Sequence, residues 1–260
     1  MGKEIFKKIP AMLLFDLDET LCESKTLIDA EMVELLTKLL SKTKVAIISG
    51  GKFERLKEQV FQPLRGKEKF FHNLFVFPTM GGCLYLYKDN FWQEMYKREI
   101  PAEDRRKIIE VLKMAVIKSG LSFPERLYGE QIEIKSSQVT FSALGQEAPL
   151  AEKRAWDPDV KKRILLKQIV EKIGLPENYQ IFVGGATSLD IVLKGIDKNF
   201  AVKQASFYSG ITIQEMLFIG DRLQPEGNDY SVVQSGIATL AVNSVEETKQ
   251  IIKNILEVGS

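Results

Sequence analysis

Asp16 and Asp18 follow a short apolar run at residues 11–15, which is typical of a buried parallel strand. Residues two apart in an extended segment share one side, and α/β proteins bind ligands at the carboxyl end of a parallel sheet. One carboxylate can attack phosphorus as a nucleophile, and the other can protonate the leaving oxygen. The pair alone does not decide the function, because solvated loops and metal-holding glycosyltransferases share it.

Three later segments could add to the same chemistry. Ser49 and Gly50 end a second buried strand, where a hydroxyl and backbone amides can hold phosphoryl oxygens or simply cap a helix. Asp221 and Asp229 follow a third strand and suit Mg²⁺, although Asp229 could serve only as a helix cap. Lys198, at a helix start, can neutralise a phosphoryl group, but a single lysine among 36 basic residues is more often a surface residue.

Strands alternate with amphipathic helices in the first 80 residues and again after residue 199, which predicts a doubly wound parallel sheet. Strand pairs and two long helices lie between these segments and indicate an α+β domain. We therefore expect an α/β core domain of residues 1–87 and 188–260, interrupted by a cap domain of residues 88–187. One of the long helices is expected over 157–173, with the basic run Lys161-Lys162-Arg163 on its solvated face.

The composition is that of an ordinary globular protein, with 45% hydrophobic and 27% charged residues. The balance of 36 basic against 35 acidic residues, 36 − 35 = +1, favours neither nucleic acid nor an anionic membrane as a partner. Cys22 and Cys83 are too few for a disulfide framework, and the sequence shows no signal-peptide pattern. We therefore expect a cytoplasmic protein.

The order of the motifs resembles the haloacid dehalogenase (HAD) superfamily: a strand with D-x-D-x-T, a strand with Ser-Gly, a later Lys, then a strand with Gly-Asp followed by Asn-Asp. The resemblance implies phosphoryl transfer through an aspartyl-phosphate with Mg²⁺. It also implies a Rossmann-like core with an inserted α+β cap of type IIB. By resemblance, the nucleophile and metal ligand is Asp16, the acid/base that also offers its carbonyl to the metal is Asp18, the phosphoryl group is held by Ser49, Gly50 and Lys198, and the remaining metal carboxylates are Asp221 and Asp229.

A closer resemblance is to the eukaryotic-type phosphomannomutase family, whose last loop reads G-D-(x)4-G-G-N-D. Residues 220–229 match this loop except that Glu226 replaces its first paired glycine. Residues 184–198 and the helix beginning Phe53-Glu54-Arg55 also match the family. The resemblance implies a hexose phosphate substrate whose hydroxyls are held by Ser188 and Asp190. It further implies a hexose 1,6-bisphosphate activator and a homodimer formed through the cap.

The positions that would hold the distal phosphate depart from that family. The family uses four arginines there, and the corresponding residues of this chain are Lys25, Lys135, Gln146 and Lys153, with Arg154 adjacent to the last. Lysine is a point charge and lacks the planar, bidentate geometry of arginine. A second departure is Glu19, which replaces a glycine of the first motif. The alternative to a mutase is therefore a HAD-type sugar-phosphate phosphatase, which is a hydrolase. The extent of the resemblance slightly favours the mutase.

Two hypotheses from other functional classes, a sensor and an interaction protein, are also open. A phosphosugar sensor could keep the fold without turnover, but a sensor does not need the Asp16 and Asp18 pair. An interaction protein could use an exposed apolar face of the cap lined by Phe91, Trp92 and Met95, although a strand packed on helices would explain these residues equally well.

Overall fold

The computed structural model describes residues 8–24, 26–225 and 227–258. They divide into two compact units. Of the described residues, the first unit comprises those up to Lys97, Asp197–Pro225 and those from Asp229 onward, and the second comprises Arg98–Ile196 with residues 227 and 228. Among the described residues, no helix is long and apolar enough to cross a membrane.

A seven-stranded sheet, counted over the described residues, forms the centre of the first unit. In spatial order its strands are β11 (Ala238–Ala241), β10 (Met216–Gly220), β1 (Met12–Asp16), β2 (Lys44–Ile48), β3 (Leu74–Phe77), β4 (Cys83–Lys88) and β5 (Phe91–Lys97). The first five in this order run parallel, and β4 and β5 are antiparallel. Successive residues of β1 belong alternately to two apolar clusters, one on each face of the sheet. A sheet buried on both faces explains why its parallel strands read as continuous apolar runs.

Helices cover both faces of this sheet, as a doubly wound fold requires. The helices of the first unit are α1 (Ala30–Leu40), α2 (Phe53–Leu56), which continues as a π-helix over Lys57–Phe61, α6 (Lys198–Ser209), α7 (Tyr230–Val233) and α8 (Val245–Val258). Residues of α1 and α8 join one apolar cluster, and residues of α6 join the other. Asp29 caps α1 by accepting a 2.9 Å hydrogen bond from the Met32 amide, as its sequence position predicts. The predicted α/β fold class is confirmed.

The second unit is α+β. Its antiparallel sheet has the order β6 (Ile132–Ile134), β7 (Gln138–Ser142), β9 (Ser188–Leu193) and β8 (Tyr179–Val183). Its helices are α3 (Ala102–Ser119), α4 (Leu150–Trp156) and α5 (Lys161–Ile173). One face of the sheet packs its apolar residues with those of α3 and α5, including Leu112 and Leu166. The other face of β7 and β9 is polar.

The boundaries between the units differ from those expected at residues 88 and 187. Residues Asp89 and Asn90 have φ of 53° and 65°, which is the geometry of a tight hairpin turn, and they return the chain into the same sheet as β5. In the second unit, β9 pairs with β7 and β8. The divisions therefore fall at 97/98 and 196/197, which places β5 in the first unit and β9 in the second.

The hypothesis of an exposed apolar face on the cap is also contradicted. Trp92 and Met95 lie on β5 in the first unit, where both are partly buried against its apolar clusters. The Trp92 ring stacks on Phe61 with centroids 4.4 Å apart. Phe91 is exposed, but a single exposed aromatic residue is ordinary. The interaction-surface hypothesis therefore loses the residues on which it depended.

Candidate active site

Three neighbouring parallel strands bring the predicted acidic and hydroxyl residues to one edge of the sheet. β1 lies between β10 and β2, with Phe15 opposite Ile219 and Asp16 opposite Ile48. Ser49 and Asp221 therefore each lie one residue beyond the level of Asp16. The carboxyl ends of these strands form the kind of edge at which α/β proteins bind ligands.

A tight turn follows Asp16 and carries Asp18, which is half-buried. The turn is closed by a 2.8 Å hydrogen bond from the Leu21 amide to the Leu17 carbonyl and a 2.7 Å bond from the Glu19 amide to the Cys22 carbonyl. Glu19 has φ of 62°, in the left-handed region that glycine adopts without strain. This conformation gives a physical reason for the glycine that the resembling families place there.

Asp16, Asp221 and Asp229 form an acidic cluster. Each offers a carboxylate oxygen, and these oxygens lie within 4.8 Å of one another. Asp229 is fully buried, and its Oδ2 accepts a 3.1 Å hydrogen bond from the Arg222 amide. The buried Oδ1 of Asp221 accepts no hydrogen bond from any described residue. Converging carboxylate oxygens of this kind are the ligands that Mg²⁺ prefers.

Lys198 is fully buried against this cluster. Its ammonium group donates to Oδ1 of Asp16 and, at 2.5 Å, to Oδ1 of Asp229. The side chain of Asp197 caps α6 by accepting a 2.9 Å hydrogen bond from the Phe200 amide, which fixes Lys198 in the first turn. With all groups ionised, three carboxylates and one ammonium leave a charge of −2, which a divalent cation would balance.

Burial dominates the electrostatics of the cluster. It raises the pKa of Asp16 well above its usual range, and the neighbouring Asp229 and Asp221 add to the effect while Lys198 opposes it. Burial, with the charge of Asp229, also raises the pKa of Asp221 to about 6. Burial opposes the charge on Lys198, but Asp16 and Asp229 outweigh it and raise the pKa of Lys198. Lys198 is thus charged, and additional positive charge nearby would favour ionisation of the carboxylates.

A left-handed turn connects Ser49 to the helix that carries Lys198. Thr79, Met80 and Gly81 have φ of 51°, 59° and 91°. The Met80 amide donates to the Ser49 carbonyl at 2.9 Å, and the Thr79 amide donates to the Gly51 carbonyl at 3.0 Å. A Cβ on Gly81 would lie 2.8 Å from the Ala201 side chain on α6, so only glycine permits this approach. One turn thereby positions Ser49 and Lys198, two of the residues expected to hold the phosphoryl group. The third, Gly50, lies between Ser49 and Gly51, whose carbonyls both accept from this turn.

The structure places the expected distal-phosphate residues only in part, because Lys25 lies outside the described residues. Lys153 is buried and donates at 3.1 Å to the carbonyl of Gln146, so these two lie together. Lys135 is buried in the turn between β6 and β7, where its ammonium is 3.6 Å from a Glu133 carboxylate oxygen. Both lysines are therefore held in place by neighbouring acceptors.

Ser188 and Asp190, the expected sugar contacts, lie on the polar face of β9. Opposite them on β7 are Ser142 and Thr140. Asp190 is buried and accepts hydrogen bonds from Gln138 and Thr140, two residues that the sequence analysis did not identify. Alternation in β7 would have placed Gln138 and Thr140 on one face, but no sequence signal named Asp190 as their partner.

Arg163 corrects the expectation of a solvated basic face. The helix expected from residue 157 begins at 161, because Asp157 ends α4 and Val160 adopts φ of 64°. This places Arg163 inward, with 2% exposure. Its Nε donates to the buried Asp157 at 2.7 Å, and its Nη1 donates to the carbonyls of Gly184 and Gly185. Arg163 thus holds the turn that leads into β9.

Replacing Arg163 by Met should lower the free energy of unfolding by about 3–5 kcal/mol, because it leaves Asp157 buried without its cation. Urea denaturation of the two proteins would measure the difference. The matched control is Lys161→Met two residues earlier, whose pair with Asp159 is exposed and should contribute little to stability. Equal effects of the two substitutions would contradict a structural role for the buried pair.

Gly220 allows Asp229 to approach the end of β10. A Cβ at position 220 would lie 2.5 Å from Oδ2 of Asp229 and 2.7 Å from the Phe218 ring. Gly220→Ala should therefore displace Asp229, destabilise the protein by about 1–3 kcal/mol, and weaken divalent-cation binding. Calorimetric titration with Mg²⁺ and a denaturation curve would test both effects, and unchanged cation affinity would show that Asp229 does not contribute to the site.

Two solved structures have folds similar to that of this chain. A haloacid dehalogenase-like hydrolase from Bacteroides thetaiotaomicron matches with a TM-score of 0.57 and 19% identity, over 93% of this chain and 91% of its own. An IMP-nucleotidase from Plasmodium falciparum matches with a TM-score of 0.70 and 18% identity, over 96% of this chain and 69% of its own. This likeness concerns the fold, in which the acidic site lies at the strand ends.

A family model gives the closer assignment. The model described as eukaryotic phosphomannomutase matches residues 32–258. "Phosphomannomutase 2" of Dictyostelium discoideum is 28% identical over 229 residues, which span 84% of this chain and 85% of that protein. The chain belongs to the eukaryotic phosphomannomutase family.

Proposed function

We propose that this protein interconverts mannose 6-phosphate and mannose 1-phosphate by phosphoryl transfer through Asp16. The observation that carries the proposal is the buried contact of Lys198 with Asp16 and Asp229 beside Asp221, in a chain of this family. A cation held against a carboxylate at a strand end suits a nucleophile that must accept a phosphoryl group.

The donor set fits Mg²⁺. Asp16, Asp221 and Asp229 would hold the ion, with the backbone carbonyl of Asp18, because all supply hard oxygen ligands and the cluster has a charge of −2 with Lys198. Oδ1 of Asp221, which has no hydrogen-bond partner among the described residues, leaves one such oxygen available. When bound, Mg²⁺ would neutralise charge on the transferring phosphoryl group.

Each residue of the site would have a separate role in the phosphoryl transfer. An Asp16 carboxylate oxygen forms a bond to phosphorus as the bond from phosphorus to the hexose oxygen breaks, and Asp18 donates a proton to that oxygen. Ser49, Gly50 and Lys198 hold the phosphoryl oxygens. In the opposite half-reaction, Asp18 takes the proton from the free hydroxyl of a hexose monophosphate as the phosphorylated Asp16 transfers its phosphoryl group to that oxygen. The resulting bisphosphate then reorients, and its other phosphoryl group returns to Asp16. A hexose 1,6-bisphosphate would supply the first phosphoryl group.

The second unit would act as the cap that binds the rest of the substrate. Ser188 and Asp190 would hold sugar hydroxyls, and Lys25, Lys135, Gln146 and Lys153 would hold the distal phosphate. The buried lysines favour an anion here, but neither offers the bidentate contact of arginine. This supports a second candidate function, a sugar-phosphate phosphatase, in which one phosphate site suffices and water attacks the phosphorylated Asp16.

Two further properties follow from the family. A homodimer formed through the second unit is expected, and sedimentation at micromolar concentration would test it, since a monomer would count against it. A cytoplasmic location would suit a chain whose two cysteines are both buried and form no disulfide.

Phosphorus NMR separates the two functions. Purified protein is incubated with Mg²⁺, mannose 1-phosphate and a trace of glucose 1,6-bisphosphate, with Asp16→Asn protein as the control. Growth of the mannose 6-phosphate signal without inorganic phosphate is the expected result. Growth of inorganic phosphate alone would replace the mutase by the phosphatase, and an unchanged spectrum would overturn both.

A further inference from the structure

Polar side chains on one face of β7 and β9 are buried. Such burial costs free energy unless the side chains are hydrogen-bonded. Gln138 is 0% exposed, Thr140 4% and Asp190 8%. In the antiparallel register, Thr140 lies directly opposite Asp190, and Gln138 lies opposite Val192, two residues along β9. The three side chains therefore share one face of two adjacent strands.

A directional hydrogen-bond network connects these side chains. The Gln138 amide nitrogen donates to Oδ1 of Asp190 at 2.6 Å and to the Thr140 hydroxyl at 2.8 Å, and that hydroxyl donates to the same Oδ1 at 2.7 Å. The directions follow because an amide nitrogen only donates, so the Thr140 hydroxyl accepts from Gln138 and directs its own proton to Oδ1 of Asp190. No described residue donates to Oδ2. Two donors thus fix the Asp190 carboxylate through one oxygen only.

The other oxygen of Asp190 lies against bare backbone. A Cβ on Gly184 would be 2.5 Å from Oδ2 and 3.2 Å from the Ser188 Cβ. The Gly184 carbonyl accepts a 3.3 Å hydrogen bond from Arg163, which is itself paired with the buried Asp157. The backbone beside Oδ2 is therefore held in place, and Oδ2 has a fixed direction.

We propose that Gln138, with Thr140, is a positioning residue that sets the sugar specificity of this protein by directing Oδ2 of Asp190 toward one hydroxyl of the hexose. The proposal rests on the proposed function, in which Asp190 contacts the sugar. Hexose epimers differ in the direction of one hydroxyl, so a carboxylate oxygen with a fixed direction accepts from one epimer and is left unpaired by the other. Gln138 itself acts only through Asp190.

Gln138→Met tests the proposal, because methionine keeps the length of the side chain and removes both donated hydrogen bonds. Three quantities are measured in wild type and variant: kcat/KM for mannose 1-phosphate and for glucose 1-phosphate, calorimetric affinity for the preferred one, and hydrolysis of p-nitrophenyl phosphate, which has no sugar hydroxyls. We expect the affinity to fall about tenfold and the kcat/KM ratio to move toward one by at least about fivefold. Nitrophenyl phosphate hydrolysis should stay within about twofold.

Gln180→Met is the matched control, because Gln180 is half-buried on β8 of the same sheet and its amide reaches its carbonyl acceptors only at 3.5 Å. It should leave all three quantities unchanged. Thr140→Val is the second variant and decides the question if Gln138→Met does not fold. If wild type discriminates between the two hexose phosphates and the variants keep the same kcat/KM ratio, the inference alone is overturned. It is also overturned if nitrophenyl phosphate hydrolysis falls as much as hexose phosphate conversion. A wild type that binds neither hexose phosphate overturns the proposed function and the inference together.

Discussion

Asp16→Asn is expected to reduce the rate of phosphoryl transfer by at least about 10⁴-fold, because an amide cannot form the bond to phosphorus. Asp16 lies at the end of a fully buried strand and contacts Lys198, so no neighbouring carboxylate of the cluster can take its place without moving. The measurement is the initial rate of hexose phosphate conversion, together with radiolabel transfer from a hexose bisphosphate to the protein. Wild type should become labelled and the variant should not.

The fold should survive this substitution. Burial raises the pKa of Asp16, which means that the folded state disfavours its charge, so a neutral isostere should leave the thermal midpoint of metal-free protein within about 4 °C of wild type. Asp159→Asn, an exposed carboxylate of the second unit, is the matched control and should retain activity. A labelled or active Asp16→Asn protein would remove Asp16 from the mechanism.

Lys198→Met is expected to destabilise the metal-free protein by about 3–5 kcal/mol near neutral pH. The substitution leaves Asp16 and Asp229 buried without the ammonium group that now contacts both. The rate of phosphoryl transfer should also fall by about 10²–10³-fold, the effect of removing one group that stabilises developing charge. Denaturation curves with and without Mg²⁺ would measure the first effect, and Mg²⁺ should restore part of the lost stability.

The pH dependence gives a second measurement on the same variant. Burial raises the pKa of Asp16 and of Asp221, the latter to about 6, so the folded protein binds protons more tightly than the unfolded chain. Stability from such groups is present at low pH and is lost as pH rises, and the deficit of the variant should therefore shrink below about pH 6. Lys203→Met, at an exposed position of the same helix, is the control. A deficit independent of pH, or an equal deficit in the control, would contradict a role for Lys198 in neutralising the cluster.

Residues at the ends of apolar strands were the most predictable part of this site. The apolar runs before Asp16, Ser49 and Asp221 identify parallel strands, and the position of each residue just after its strand brings all three to one edge. Lys198 is different, because no local pattern shows that α6 begins beside Asp16. It was identified only from the order of motifs along the chain.

Long-range packing decided what sequence analysis missed. Lys161-Lys162-Arg163 resembles a solvated face, yet a helix that starts at 161 turns Arg163 toward Asp157 and toward a turn about 20 residues later, which no periodicity reveals. The hairpin through Asp89 and Asn90 likewise assigns β5 to the first unit. Strand pairing, rather than composition, determines where one unit ends.

The position of β1 within the sheet has a consequence for the growing chain. β1 pairs with β2 within the first 50 residues, but its other neighbour, β10, begins about 200 residues later, a separation that corresponds to roughly 10–40 s of synthesis. During that interval a fully buried strand of the finished protein has one unpaired edge. We therefore expect nascent chains that end before residue 216 to need protection by a chaperone, and the isolated segment 1–97 to aggregate.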